Sequence, residues 1–195
     1  IPGVADLSAE PDHVLALYGV TNGGSRTEQL RSAYGRNCIL ARRLVERGVR
    51  FVQLFNGAYQ TGGEGVSNWD GHKDLFNQYA VHGPVLDQPT AGLLLDLKQR
   101  GLLQDTLVVT FAEMGRTPKI NAQRGRDHWG ACWSVTLTGC GIRPGIHGST
   151  NADGTAVATD RVTAAEFFAT IFRALGIDHQ KEYVSADGRP VRLTP

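Results

Sequence analysis

Two short apolar runs rich in β-branched and aromatic residues, 49–55 and 106–112, are typical of buried β-strands. Between them, residues from about 84 to 100 show a helical pattern, and Gly101 is placed to end that helix. A strand, a helix and a second strand in this order predict a parallel pair joined by a right-handed crossover. The sequence therefore predicts an α/β fold in which the loops after both strands leave the same edge of one sheet.

Other segments have equally local signals. Apolar positions recur every three or four residues over 28–47, which predicts an amphipathic helix that ends at Gly48, and a helix is also expected soon after His72. Residues 132–138 have the composition of a third strand. Thr163 and Glu166 have the spacing of a capping box at the start of a helix, and 182–193, with a turn sequence at its centre, reads as a hairpin.

The length of 195 residues suits one α/β domain with a sizeable core, and we predict a single domain over 1–195. We expect 1–27 to be an irregular or partly helical lead-in and 180–195 to form a small hairpin.

The formal net charge is +1 without a strongly basic block, which argues against a nucleic-acid surface. No apolar run approaches the roughly 20 residues that span a bilayer. The three cysteines lie in apolar patterns without C-x-x-C spacing, which favours core positions.

Polar residues follow both predicted strands. Asp70 and His72 are two positions apart, so on extended backbone their side chains share a face, and a carboxylate with an imidazole is a common ligand pair for zinc or manganese. The alternative is structural, with Asp70 capping the following helix and His72 on its surface. The glycine-rich connection over 56–71 is longer than a short loop needs, and loops of this kind inside compact domains are usually functional or disordered.

Glu113 follows the second strand, where a buried carboxylate needs a partner or a metal ion. An ion pair with Arg116 is the structural alternative to metal ligation. Lys119 and Arg126 make the same loop cationic, which suits a phosphate or sulfate ester, although such a loop can also simply be solvated. His128 could serve as a ligand, an acid–base group or a helix-end residue.

Serine-hydrolase, zincin and phosphate-loop motifs are absent from the sequence. Six segments of the chain form a recognisable set: 38–52, Trp69-Asp70-Gly71-His72, 96–103, Glu113-Met114-Gly115-Arg116-Thr117-Pro118, Gly125-Arg126-Asp127-His128-Trp129 and Gly176-Ile177-Asp178-His179. Taken together, these segments resemble the bacterial DUF1501 family, whose members are often labelled sulfatases of the alkaline-phosphatase-like superfamily.

The resemblance implies an α/β/α sandwich with a mainly parallel sheet and a two-metal site for phosphate or sulfate ester hydrolysis. Asp70 and His72 resemble the ligands of one metal, Glu113 keeps a carboxylate where the superfamily has an Asp-His pair, and His128 resembles a later histidine ligand. The ions expected are zinc, manganese or calcium. Arg116, Arg126 and Lys119 would offset negative charge that develops on a small anionic ester substrate.

The superfamily's nucleophile and first metal-binding aspartate have no match in residues 1–48. The resemblance therefore implies the C-terminal portion of a longer protein, exported to the periplasm or cell surface, and a sheet edge near 49–55 that pairs with a second copy or with the missing segment. A rival interpretation is a non-catalytic ligand-binding or surface domain on a degenerate hydrolase scaffold. Met114, in place of an imidazole, favours that rival.

Overall fold

The computed structural model describes residues 3–57 and 68–194. Its α-helices are α1 (Asp12–Leu17), α2 (Arg26–Glu46), α3 (Leu75–Gln99) and α4 (Ala164–Ala174), with a short 3-10 helix at Leu102–Gln104. Its strands are β1 (Val108–Thr110), β2 (Gly115–Arg116), β3 (His128–Trp129), β4 (Thr136–Thr138), β5 (Ser149–Thr150), β6 (Val157–Thr159), β7 (Glu182–Val184) and β8 (Pro190–Arg192). Among the described residues, no helix is both long and apolar enough to span a membrane.

The chain forms two compact units. The first contains Ile1–Leu102 and Lys119–His128, and the second contains Leu103–Pro118 and Trp129–Pro195. In the described part of the chain, the fully buried apolar side chains all belong to the first unit, where α2 packs on α3. Gly92 permits a close approach of α3 to α1, because a Cβ atom there would lie 2.8 Å from the carbonyl oxygen of Leu17.

The helices agree with their local signals. The pattern over 28–47 corresponds to α2, which begins at a capping box formed by Ser25 and Glu28. The capping box predicted at Thr163 and Glu166 is confirmed at the start of α4. Helix α3 begins at Leu75 and continues through Pro84, so the helix predicted to start near residue 84 and the one expected after His72 are a single helix.

The predicted parallel α/β/α sandwich is wrong. The sheets have two strands each and pair β1 with β4, β2 with β3, β5 with β6, and β7 with β8. Strands β1 and β4 are shorter than the predicted strands over 106–112 and 132–138, and they pair antiparallel, with Val109 opposite Leu137. The crossover inferred from the order of the elements does not form, because each short strand finds its partner in an antiparallel neighbour.

Residues 49–55 form no strand, although their composition is strand-like. Phe51 and Phe55 are 81% and 71% exposed. Strand propensity measures how well a side chain fits a pleated, half-buried surface, and it does not supply the neighbouring backbone that a sheet requires. The alkaline-phosphatase-like sheet expected at this position is therefore absent from the described residues.

The second unit carries the smaller elements. Strands β5 and β6 pair antiparallel with a shift in register, and the tail folds as an antiparallel hairpin in which Tyr183 faces Val191. On α4 the apolar side chains are only partly covered, and the ring of Phe167 lies 6.1 Å from that of Phe111. Cys132 and Cys140 are half-buried here, whereas Cys38 lies fully buried in the first unit, so the predicted core position holds for Cys38.

Candidate metal centre

A tight turn before α3 brings Asp70 and His72 together. The side chain of Asn68 accepts a 2.9 Å hydrogen bond from the Asp70 amide, and the His72 amide donates to the Asp70 carbonyl at 3.1 Å. These local bonds curl the chain so that the two side chains meet, with 3.0 Å between His72 Nε2 and Asp70 Oδ1. The i, i+2 spacing therefore does place both groups at one position.

Trp69 anchors this turn to the first unit. Its indole N–H donates to the side-chain oxygen of Asn56 at 2.8 Å. Its ring lies 5.2 Å from the ring of His82 and 6.0 Å from that of Tyr79, both on α3. His82 is fully buried in this contact. His82 thus supports the residue next to Asp70.

The segment 119–128 packs against the same turn. The amides of Asp74 and Leu75, at the beginning of α3, donate to the carbonyls of Gln123 and Arg124 at 3.1 and 2.9 Å. The Arg126 amide donates to the Gly71 carbonyl at 2.9 Å. The loop thus supplies acceptors to helix-start amides, which have no partner within the helix itself. This docking carries His128 to the turn that holds Asp70.

Asp70, His72 and His128 form one cluster. Oδ1 of Asp70 is 2.9 Å from Nε2 of His128 and 3.0 Å from Nε2 of His72. The two imidazole rings are 5.0 Å apart, and one ligand atom from each of the three residues lies within 4.8 Å of the others. The group offers three possible ligand atoms for a metal ion, two imidazole nitrogens and one carboxylate oxygen. They lie around one position, which we call the common point.

Asp127 holds the far side of His72. Its Oδ1 lies 3.1 Å from Nδ1 of His72, so one imidazole nitrogen faces the cluster while the other faces a carboxylate. The hydrogen bond with His72, followed by one from Asn121, lowers the pKa of Asp127 below its usual value. Histidines that bind metal ions commonly have such a carboxylate on the second nitrogen, where it fixes the tautomer and the ring orientation.

The cluster fits a divalent ion. In a tetrahedral zinc site the bonds are about 2.0–2.2 Å long, which places the ligand atoms about 3.3–3.6 Å apart. The separations of Asp70 Oδ1 from the two Nε2 atoms, 2.9 and 3.0 Å, need only small shifts to reach that range. The side chains of Asp70 and His128 are about half exposed, so the common point is open to water or a ligand. Three protein ligands with an open position are typical of catalytic zinc.

The other predicted site residues are placed as follows. Lys119 and Arg126 belong to the segment that carries His128. Arg116 lies in β2, and Glu113 is an exposed residue three positions after β1; both belong to the second unit. The structure brings Asp70, His72 and His128 together, whereas metal ligation by Glu113 stays a prediction. The expected position of all four at the ends of neighbouring parallel strands is wrong, because the residues that the structure describes form no parallel pair of strands.

Sequence reasoning did not assign roles to Asp127 or Asn121. Asp127 is next to His128 in the sequence, so its proximity to the site could have been inferred, but its contact with His72 depends on how the loop docks. Asn121 lies seven positions before His128 in a loop with no regular pattern, and no local signal identifies it.

The chain was compared with known proteins. No curated protein and no solved structure matched it. A family model described as "Protein of unknown function (DUF1501)" matches residues 1–195. The chain therefore belongs to the DUF1501 family.

Proposed function

We propose that this chain is a metal-dependent hydrolase domain that acts on phosphate or sulfate esters and holds a divalent ion between Asp70, His72 and His128. The observation that carries the proposal is the meeting of two Nε2 atoms at Asp70 Oδ1, at 2.9 and 3.0 Å. The carboxylate of Asp127 behind His72 adds to it, since that contact would hold the imidazole proton on Nδ1 and leave Nε2 unprotonated, as a metal ligand must be.

The roles divide between the ligands and the nearby cations. A bound divalent ion supplies Lewis acidity, which polarises an ester oxygen and makes a water molecule more acidic. Arg126 and Lys119, which belong to the segment that carries His128, would attract the anionic ester and offset charge in the transition state. Hydrolysis breaks the bond between the phosphorus or sulfur and the ester oxygen. The hydroxyl of a water molecule takes the place of that oxygen, and the leaving alcohol takes up the remaining proton of the water.

A second candidate is a ligand-binding domain without catalysis. The observation that favours it is the exposure of the site, because the side chains of Asp70 and His128 remain 49% and 50% accessible. An active site usually excludes water to strengthen its electrostatic interactions. An exposed ion in the same position could hold an anionic ligand without turning it over.

The first test is titration calorimetry, which measures whether the 195-residue chain binds zinc, manganese or calcium. Assays of the metal-loaded protein with aryl phosphates and aryl sulfates follow. We expect H128A to abolish metal binding. H147A replaces an exposed histidine of the second unit and is the matched control, which we expect to bind as the native chain does. Metal binding without turnover would favour the ligand-binding domain, and no metal binding by the native chain would overturn the proposal.

A further inference from the structure

Asn121 joins the two parts of the chain that build the candidate metal centre. Its side-chain Nδ2 donates to the carbonyl oxygen of His72 and to Oδ1 of Asp127, both at 3.1 Å. One hydrogen therefore goes to the backbone of a proposed ligand and the other to the carboxylate behind that ligand's ring. These two bonds join Asn121 to His72, which is 49 positions away in the sequence, and to Asp127, which is 6 positions away.

The same side chain also shapes its own loop. Its Oδ1 accepts from the amides of Gln123 and Gly125 at 3.0 and 2.9 Å. Both amide hydrogens and both oxygen lone pairs of the Asn121 side chain are thereby used, which is the full capacity of this residue type. The backbone completes the turn, because the Asn121 amide donates to the Gly125 carbonyl at 2.9 Å and the Arg124 amide donates to the Asn121 carbonyl at 3.0 Å.

We infer that Asn121 is a positioning residue for the proposed metal site: it holds Asp127 against His72 Nδ1 and so presents His72 Nε2 to the ion. The inference rests on the proposed function and adds a residue outside the ligand set. Its physical basis is that Asp127 Oδ1 accepts from Asn121 and contacts His72 at the same time, at 3.1 Å in each case. When the Asn121 amide is lost, Asp127 Oδ1 loses a donor that helps to fix it beside His72 Nδ1, and the imidazole of His72 is oriented less firmly.

The test compares three variants in zinc affinity and in the visible spectrum of the cobalt(II)-loaded protein. N121A removes every side-chain bond. N121S keeps a short hydroxyl that can still accept from amides of its own turn, but this group is too short to reach both His72 and Asp127. Q123A is the matched control from the same loop, since the hydrogen bonds of Gln123 with Asp74 and Asn121 both use its backbone, which the substitution keeps. Circular dichroism confirms that each variant folds.

We expect N121A and N121S to weaken zinc binding about 10-fold or more and to change the cobalt(II) absorption bands, which report ligand geometry. Q123A should match the native chain in both measurements. If Asn121 only stabilises its loop, N121A and N121S would lower the melting temperature without changing the cobalt(II) spectrum. If N121A does not fold, N121S decides the question.

The outcomes separate the two claims. Native affinity and a native cobalt(II) spectrum in N121A or N121S, with metal binding by the native chain, would overturn the role of Asn121 and leave the metal site standing. Absence of zinc and cobalt binding by the native chain would overturn the proposed function and the inference together.

Discussion

His72 Nδ1 lies 3.1 Å from Oδ1 of Asp127, although the two residues are 55 positions apart. Because this contact orients the ring, we predict that D127A lowers the zinc affinity of the chain by about 10- to 100-fold. D127N keeps an oxygen acceptor for His72 Nδ1 and should therefore lower the zinc affinity less than D127A does. Calorimetric titration with zinc measures both, and D153N, at an exposed aspartate of the second unit, should leave the affinity unchanged. Equal affinities in D127A and the native chain would contradict the assigned role of Asp127.

Gly125 is required by the docking of the loop. A Cβ atom on Gly125 would overlap the carbonyl group of His72 and the amide nitrogen of Lys73, and backbone atoms cannot move aside as a side chain can. We predict that G125A displaces the loop that carries His128 and abolishes metal binding while α2 and α3 remain folded. Metal titration and circular dichroism check this.

G130A is the matched control for that change, because a Cβ atom on Gly130 meets nothing within 4 Å among the described atoms. We expect G130A to bind metal as the native chain does. Native affinity in G125A would show that the loop docks without the close approach seen here.

The parts of the structure that were predictable from the sequence depend on short-range patterns. Helix α2 follows from apolar spacing, and α4 follows from the reciprocal bonds of Thr163 and Glu166 three positions apart. The pairing of Asp70 with His72 is equally local, because the turn between them contains one residue. His128 was a candidate on its own polar surroundings and on the family resemblance, and in the structure its Nε2 lies 2.9 Å from Asp70 Oδ1.

The failures concern contacts between distant residues. An apolar run such as 49–55 carries no information about which backbone, if any, will pair with it. The same limit applies to the site, where Asn121 reaches His72 only because the loop over 119–128 docks on the start of α3. That docking depends on the fit of Gly125 against His72, which involves no periodic pattern.

Cys38 should be the least reactive cysteine. Burial raises the pKa of its thiol to about 12, although a hydrogen bond with Tyr34 partly opposes this shift. At pH 8 only about one thiol in ten thousand is then ionised, and the thiolate is the form that reacts. We predict that iodoacetamide labels Cys132 and Cys140, which are half-buried, well before Cys38. Peptide mapping by mass spectrometry measures the order, and fast labelling of Cys38 in the native state would contradict its burial.

Glu10 is held by two arginines of α2. Its Oε1 lies 2.7 Å from Arg42 Nη2 and 2.6 Å from Arg43 Nε, and its side chain is only 6% exposed. Without the Glu10 charge, Arg42 keeps its ion pairs with Glu46 and Asp96, but the buried guanidinium of Arg43 loses its carboxylate partner, and a buried charge without compensation is costly. We predict that E10Q lowers the free energy of unfolding at pH 7 by about 3 kcal/mol. E182Q, at the exposed pair with Arg192, is the matched control and should cost less than about 1 kcal/mol.

The pH dependence of the same variant tests the cause. Burial alone would raise the pKa of Glu10, but the hydrogen bonds from Arg42 and Arg43 outweigh it, so the pKa lies below its usual value. A carboxyl whose pKa is lowered by folding stabilises the native state above its unfolded pKa of about 4.3, and this contribution is lost as the pH falls through the folded pKa. Urea unfolding should therefore show a constant difference between the native chain and E10Q from pH 7 to 5. Below about pH 4.3 the difference should shrink, because protonation of Glu10 removes the charge that E10Q lacks. A difference that stays constant down to the acid transition would mean that packing, and not the charge of Glu10, stabilises this contact.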